Sequence, residues 1–347
     1  MADIRNIVES DSISWNVLEG ASVFITGATG LIGSLLCRTL LAANDVRRLN
    51  MHVYGLIRST EKAQSIFGEL LERDDFSLVT GDITGAVSID CRIDYIFHCA
   101  SVTASKIMVS KPVETLMTAV EGTRNMLELA KAENVRAFVY ASSMEVYGSF
   151  SDLGHDVTEE DLGYIDPLAV RSNYPESKRL CENMCIAYFM EYGVPVRMAR
   201  LAQTFGAGIL PGENRVFAQF ARSAIRGEDI VLHTKGLSEG NYCYTSDTIK
   251  GLLMIALVGR DGEAYNISNP DTHTTIADMA RMVCDDIAGG AIKVIFDIPE
   301  SNTFGYAADT KMKLDSGKLQ ALGWKPEVGL REAYVRLTGS IRESEKL

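Results

Sequence analysis

The sequence has little with which to tie itself together covalently or to sit in a membrane. Its seven cysteines (Cys37, Cys91, Cys99, Cys181, Cys185, Cys243, Cys284) are odd in number, scattered and without CxxC spacing. They suggest neither a disulfide framework nor a zinc site, and read as reduced, mostly buried thiols. The five histidines (His52, His98, His155, His233, His273) show no ligand spacing, so no metal is expected. The longest suitable apolar run, Gly251 to Gly259, falls far short of the ~20 residues that span a bilayer. The acidic start, Met1 to Asp11, lacks the apolar core of a secretory signal, so a cytoplasmic location is expected. Basic residues are outnumbered, 34 against 46 acidic, for a net charge of −12. That balance argues against a general nucleic-acid or acidic-membrane surface, because both reward clustered Lys and Arg. There is no repeat, low-complexity tract or obvious linker.

What the chain has is length and apolar content: 347 residues, 46% hydrophobic, enough for one large α/β domain with a smaller lobe. The first ~20 residues read as a short amphipathic extension packed through Trp15, Val17 and Leu18. Then Ser22–Thr26, Met51–Ile57, Ser77–Thr80, Tyr95–His98, Ala137–Ala141 and Val194–Leu201 read as strands separated by helical stretches. Runs apolar on both faces with crossover helices predict a doubly wound parallel sheet, the Rossmann arrangement. From Thr204 the pattern loosens, with Gly206, Gly208, Pro211 and Gly212 marking a departure from the sheet. Tyr242–Leu257 reads as a strand running into a helix that rejoins the first domain, followed by a helix Ile276–Ile287, a strand Lys293–Phe296 and a final helix after Gly329. The expected division is an extension (1–20), a dinucleotide-binding domain (21–203 with 241–269) and a discontinuous substrate-binding lobe (204–240 with 270–347).

The first strand ends in Thr26-Gly27-Ala28-Thr29-Gly30-Leu31-Ile32-Gly33 and a helix follows at once. The GxxGxxG spacing lets the backbone turn tightly, approach a pyrophosphate and pack helix on strand, with the helix N-terminus facing the anion. Arg58 follows the second strand where an acid would otherwise accept the ribose hydroxyls of NAD; a guanidinium there suits the 2′-phosphate of NADP, so both dinucleotides stay open. Asp82 is placed to accept from the adenine amino group. Farther on, Ser142-Ser143-Met144-Glu145 closes a strand, and Tyr174 and Lys178 lie four apart on one helix face. There the ammonium is expected to lower the phenol pKa and hold a ribose hydroxyl, with Ser143 bonding the substrate oxygen.

This set of motifs resembles the extended short-chain dehydrogenase/reductases that epimerise, dehydrate or decarboxylate nucleotide sugars, over about Ala21 to Leu330. The UDP-glucuronate decarboxylases are resembled in particular through Phe97-His98-Cys99-Ala100-Ser101, Lys111-Pro112 with Gly122-Thr123, Ser143 to Gly148, Tyr174 to Glu182, Ala199-Arg200-Leu201 and Leu322 to Pro326. The resemblance implies a catalytic triad of Ser143, Tyr174 and Lys178 with Glu145 as an acid-base glutamate. It further implies cofactor contacts from Thr29, Leu31, Ile32, Ile83 and Ala100, and substrate contacts from Ser101, Thr103, Gln203, Asn214 and Arg215. The implied partner is a nucleotide-diphosphate sugar, oxidised at C4 so that C5 becomes acidic, and the implied assembly is a homodimer through the helix Val113–Ala132 and the helix after Tyr174. Three departures stand out: Met144 where the dTDP-glucose dehydratases have aspartate, Gln203 where the decarboxylases have asparagine, and Ala307 and Ala308 near where they have arginine. UDP-glucuronate decarboxylation and a simple NADPH-dependent keto-sugar reductase are the alternative reactions, and a non-catalytic dinucleotide sensor is the alternative class.

Overall fold

The computed structural model describes residues 2–87, 89–151, 153–210, 212–299 and 310–345. The chain enters through helix α1 (Ala2–Glu9) and a single turn at Trp15–Leu18. Strands and helices then alternate: β1 (Ser22–Thr26), α2 (Leu31–Arg47), β2 (His52–Ile57), α3 (Thr60–Phe67), β3 (Phe76–Thr80), β4 (Tyr95–His98), α4 (Ser105–Ser110), α5 (Pro112–Glu133), β5 (Ala137–Ser143), α6 (Asn173–Tyr192) and β6 (Val196–Leu201). The remainder supplies β7 (Gln203–Phe205), α7 (Val216–Arg226), β8 (Ile230–Leu232), β9 (Glu239–Tyr244), α8 (Thr245–Val258), β10 (Ala264–Ile267), β11 (Asn269–Thr275), α9 (Ile276–Met282), β12 (Val294–Phe296), α10 (Gly317–Gln320) and α11 (Leu330–Glu345).

Seven strands form one sheet in the order β3-β2-β1-β4-β5-β6-β10, every pair parallel. The doubly wound sheet expected from the sequence is therefore present. Its cause is legible strand by strand: Val23 and Ile25 pack on one face with α2 and α8, while Phe24, between them, packs on the other with α5 and α6. In β5 the same alternation sends Ala137 and Val139 one way and Phe138 and Tyr140 the other. The order reverses between β1 and β4, and such a reversal opens a crevice at the carboxyl ends of the strands.

A second core gathers Phe205, Phe217, Phe220, Tyr242, Tyr244, Val283, Tyr334 and Leu337. Around it β7 pairs in parallel with β9, β9 pairs antiparallel with β11, and β8 pairs with β12. The helix expected over Ile276–Ile287 changes character midway: α9 stops at Met282 and Val283–Ile287 is a π-type turn, with the Ala288 amide bonding the Val283 carbonyl five residues back. Trp15 and Leu18 are buried as expected, but Val17 faces solvent, because a single 3₁₀ turn cannot direct three neighbouring side chains inward. The Asp3 carboxylate of α1 accepts from Tyr244 Oη and from Arg336 Nη1, each at 2.6 Å, so the N-terminal helix reaches the second core.

A buried ion pair fixes the loops beside β6. Arg200 grips Glu182 of α6 with Nε to Oε1 at 3.0 Å and Nη2 to Oε2 at 2.7 Å. Its Nη1 donates to Tyr147 Oη at 3.1 Å and the Glu159 carbonyl at 2.8 Å, and Tyr147 donates to Asn266 Oδ1 at 2.6 Å. Removing one partner would strand a charge in the interior. We expect Glu182→Ala to cost about 3 kcal/mol in chemical denaturation, with Glu182→Leu combined with Arg200→Met recovering much of the loss.

Candidate functional site

The glycine turn after β1 is built by close approach. Gly27 has φ +66°, and a Cβ there would lie 2.9 Å from the Ala100 backbone; a Cβ on Gly33 would lie 2.3 Å from the Gly27 carbonyl oxygen. Both clashes are with main chain, so only glycine lets the turn nest against the β4 loop and the helix against the turn. Gly30 caps α2 with no side chain, and its amide closes the turn onto the Gly27 carbonyl at 2.9 Å. The start of α2 thus presents uncapped N–H groups to the crevice beside partly exposed Thr29, Leu31 and Ile32, a cradle that fits a dinucleotide pyrophosphate. Leu31 also leans on the second core, whereas Ile32 packs on the first.

Beneath the turn runs a buried polar tie. The Ala100 amide donates to Thr26 Oγ1 at 3.0 Å, Thr26 Oγ1 bonds His98 Nδ1 at 2.8 Å, and His98 Nε2 bonds Thr123 Oγ1 of α5 at 3.1 Å. Burial, and next the Lys178 charge, push the His98 pKa down to about 3, so the ring is neutral. The tie brings Ala100 against the glycine turn, and Ser101 and Thr103 follow on the open segment that leads to α4.

At the second strand Arg58 is exposed. Asp82 is more occupied than its sequence position suggested: Oδ1 accepts from the Thr84 amide at 2.9 Å and the Thr84 hydroxyl at 2.7 Å. Those bonds, aided by the Arg58 charge, hold its carboxyl below the ordinary value. The Ile83 side chain turns inward against Gly122 of α5, and its carbonyl accepts from Asn125 at 3.0 Å.

The chemistry-bearing residues meet at the end of β5. Ser143 ends the strand, and its hydroxyl accepts from the Glu145 amide at 3.2 Å to start a turn over Met144–Tyr147. Tyr174 and Lys178 share the inward face of α6. Lys178 Nζ donates to the Ala141 carbonyl at 2.7 Å and lies 4.7 Å from the Tyr140 ring centre and 5.8 Å from that of Tyr174. Burial lowers the ammonium pKa. One expectation is corrected here: the Tyr174 phenol is not acidified but pushed up to about 12, by burial first and the Glu145 carboxylate second. The Ser143 hydroxyl and the Arg171 and Arg215 charges oppose that shift without overcoming it.

Sequence reasoning missed Arg171. Its Nη2 pairs with Glu145 Oε1 at 3.0 Å and its guanidinium lies 5.6 Å from the Tyr174 ring centre. The signal available was an arginine three residues ahead of Tyr174, about one helical turn before it. Of the substrate-lobe candidates, Arg215 is brought to the cluster, since its charge acts on Tyr174; it caps α7 and pairs with Glu213 at 2.7 Å. Asn214 is exposed, its carbonyl accepting from Gln219 at 2.6 Å, and Gln203 opens β7 in a partly exposed position. Ala307 and Ala308 lie outside the described residues. Among the described residues no cluster of three or more His, Cys, Asp or Glu is disposed to hold a metal ion, and no helix is long and apolar enough to cross a membrane.

Residues 23–268 match a family described as the NAD dependent epimerase/dehydratase family. A UDP-glucuronic acid decarboxylase of Arabidopsis thaliana is 32% identical over 313 residues, 89% of this chain and 86% of that protein. An epimerase of Methanothermobacter thermautotrophicus superposes with a TM-score of 0.80 at 24% identity, covering 96% of this chain and 95% of its own. A UDP-glucuronic acid 4-epimerase of Bacillus cereus, solved with UDP-glucuronic acid and NAD, gives 0.77 at 21% identity, covering 93% and 99%.

The depressed His98 pKa has a consequence for stability. A histidine that titrates at 6.5 when unfolded and about 3 when folded contributes stability that is present above pH 6.5 and lost as pH falls toward 3. The contribution is on the order of 5 kcal/mol. Thermal melts should show wild type losing stability more steeply than His98→Gln across that window; parallel curves would contradict the assignment.

Proposed function

Because this chain belongs to the NAD dependent epimerase/dehydratase family, we propose that it remodels the sugar of a nucleotide-diphosphate sugar through a transient 4-keto intermediate. The observation that carries this reading is the alignment of three strand ends. Thr26 of β1 is in register with His98 of β4, and His98 with Tyr140 of β5. The dinucleotide cradle and the Tyr174–Lys178 pair therefore share one crevice edge, and the Lys178 charge is felt at His98 and Cys99. On this reading 21–203 with 241–269 hold the dinucleotide and 204–240 with 270–347 the sugar nucleotide.

When bound, the oxidised nicotinamide supplies a hydride acceptor and a positive charge. Tyr174 takes the C4 hydroxyl proton, Ser143 bonds the same oxygen, and Lys178, anchored on Ala141, stabilises the phenolate as it forms. Burial and the Glu145 carboxylate raise the phenol pKa, and the positive charge of a bound nicotinamide would oppose that shift. Glu145, two residues beyond Ser143, serves the acidic C5 position of the ketone. Similarity to the Arabidopsis decarboxylase supports a glucuronate-bearing substrate, and a decarboxylase remains the second reading on that ground. Homodimerisation is supported by Val113 and Met117 of α5 and Leu180 of α6, which are exposed apolar residues. Met184 and Tyr188 are instead used within the chain, packed on the first domain, with Tyr188 Oη bonded to Glu128 at 2.5 Å.

Incubation with UDP-, GDP-, CDP- and dTDP-sugars, followed by mass, separates loss of water, loss of carbon dioxide and no change. Tyr174→Phe should fold and bind dinucleotide yet lose at least ~100-fold in the chemical step. Glu145→Gln should still reduce cofactor and make the 4-keto sugar, then stall; full turnover in that variant would point to a C4 epimerase or a reductase.

The cofactor test rests on Arg58. If its guanidinium grips a 2′-phosphate, wild type should favour NADP by about ten- to a hundred-fold, and Arg58→Ala should abolish the preference. Calorimetric titration of each dinucleotide decides this; a wild type that prefers NAD, with an alanine variant that behaves identically, makes Arg58 a bystander.

A further inference from the structure

We infer that Arg171 is a positioning residue that clamps the Glu145 carboxylate and offsets the negative charge this carboxylate sets beside Tyr174, so that two bases can stand next to one another in a single site. The inference deepens the functional reading above and rests on it for the roles of Glu145 and Tyr174.

The difficulty it resolves is electrostatic. A site that removes a proton from a hydroxyl with a phenolate and then works at the neighbouring carbon with a carboxylate must hold two groups that each become negative. Like charges at short range disfavour ionisation of the second group. Here Glu145 is already the second largest influence raising the Tyr174 pKa. The charged and titratable groups around the phenol are Lys178 on α6, Tyr140 on β5, Glu145 after β5, Arg171 before α6 and Arg215 at the start of α7. Lys178 is committed to the Ala141 carbonyl and Arg215 to Glu213. Arg171 is the group that engages both sides of the conflict, bonded to Glu145 at 3.0 Å and 5.6 Å from the Tyr174 ring centre. Its position follows from the fold: it sits in the turn Val170–Ser172 that leads directly into α6, so the helix that carries Tyr174 also carries the counter-charge of Glu145. Both members of the pair are 34% exposed, so water screens part of the interaction and the effect is moderate rather than absolute.

The test is a double-mutant cycle of Arg171→Gln and Glu145→Gln in the NAD-loaded protein, with two readouts. The first is the ionisation midpoint of Tyr174 from ring-13C-tyrosine NMR, assigned with Tyr174→Phe. The second is single-turnover reduction of NAD, with UDP-glucuronate and UDP-glucose as probes. Arg171→Gln should raise the midpoint and slow reduction roughly tenfold at neutral pH, the rate recovering as pH rises. Adding Glu145→Gln should return both readouts to within about threefold of Glu145→Gln alone, because the charge that needed offsetting is gone. Arg171→Lys should retain most of the wild-type behaviour, and stands in if the glutamine variant does not fold. An unmoved midpoint, or losses that simply add in the double variant, would overturn the inference. If neither probe reduces NAD in wild type, the functional reading fails on its own, and the Tyr174 midpoint across the four proteins still decides the role of Arg171.

Discussion

A buried ammonium must find a partner, and much of the site follows from where Lys178 finds one. Its bond to the Ala141 carbonyl fastens α6 to the end of β5 from within the core, between the rings of Tyr140 and Tyr174. Once α6 is pinned there, the residues at its start have no freedom to choose their neighbours: Tyr174 faces the strand ends and Arg171 meets the turn that bears Glu145. Desolvation lowers the pKa of that ammonium, and a lone positive charge in such a place is costly. The carbonyl and the two aromatic faces offset the cost, so the same contacts that stabilise the cation also assemble the cluster.

Two guanidinium–carboxylate pairs flank this helix and do different things. Arg200 and Glu182 are almost fully enclosed and hydrogen-bonded on all sides, and together with Tyr147 and Asn266 they hold the loops after β5 in place. Arg171 and Glu145 stand at the rim, half-buried, where a charge can be felt by a substrate and still be adjusted by water. Burial decides the difference: the inner pair is rigid and structural, while the outer pair can exchange partners at modest cost.

The sheet was readable in the sequence because a strand covered on both faces must be apolar at successive positions, and Val23-Phe24-Ile25 and Ala137 to Tyr140 are. The glycine turn and the Tyr174–Lys178 spacing were readable for the same reason, since each is a local pattern with one geometric meaning. What the sequence hid is set by contacts between distant residues or by solvent. Glu145 and Arg171 are separated by a loop whose path no periodicity reveals. The Tyr174 phenol was expected to be acidic because Lys178 is visible in the spacing, whereas the burial and the Glu145 carboxylate that raise its pKa are not. Asp82 looked free because Thr84, its partner, is an unremarkable neighbour until the turn closes.

The Asp3–Arg336 bond ties α1 to α11 across a separation of 333 residues. It is in effect a non-covalent ring closure, and the entropic toll of closing a loop grows only slowly with its length. The Asp3 carboxylate also takes the Tyr244 hydroxyl, which in turn receives the Ala207 amide at the head of the loop leading to Arg215. The opening helix is therefore a clasp: Ile7 and Val8 sink into the first core while Asp3 bonds Tyr244 of the second, so one short element holds both at once.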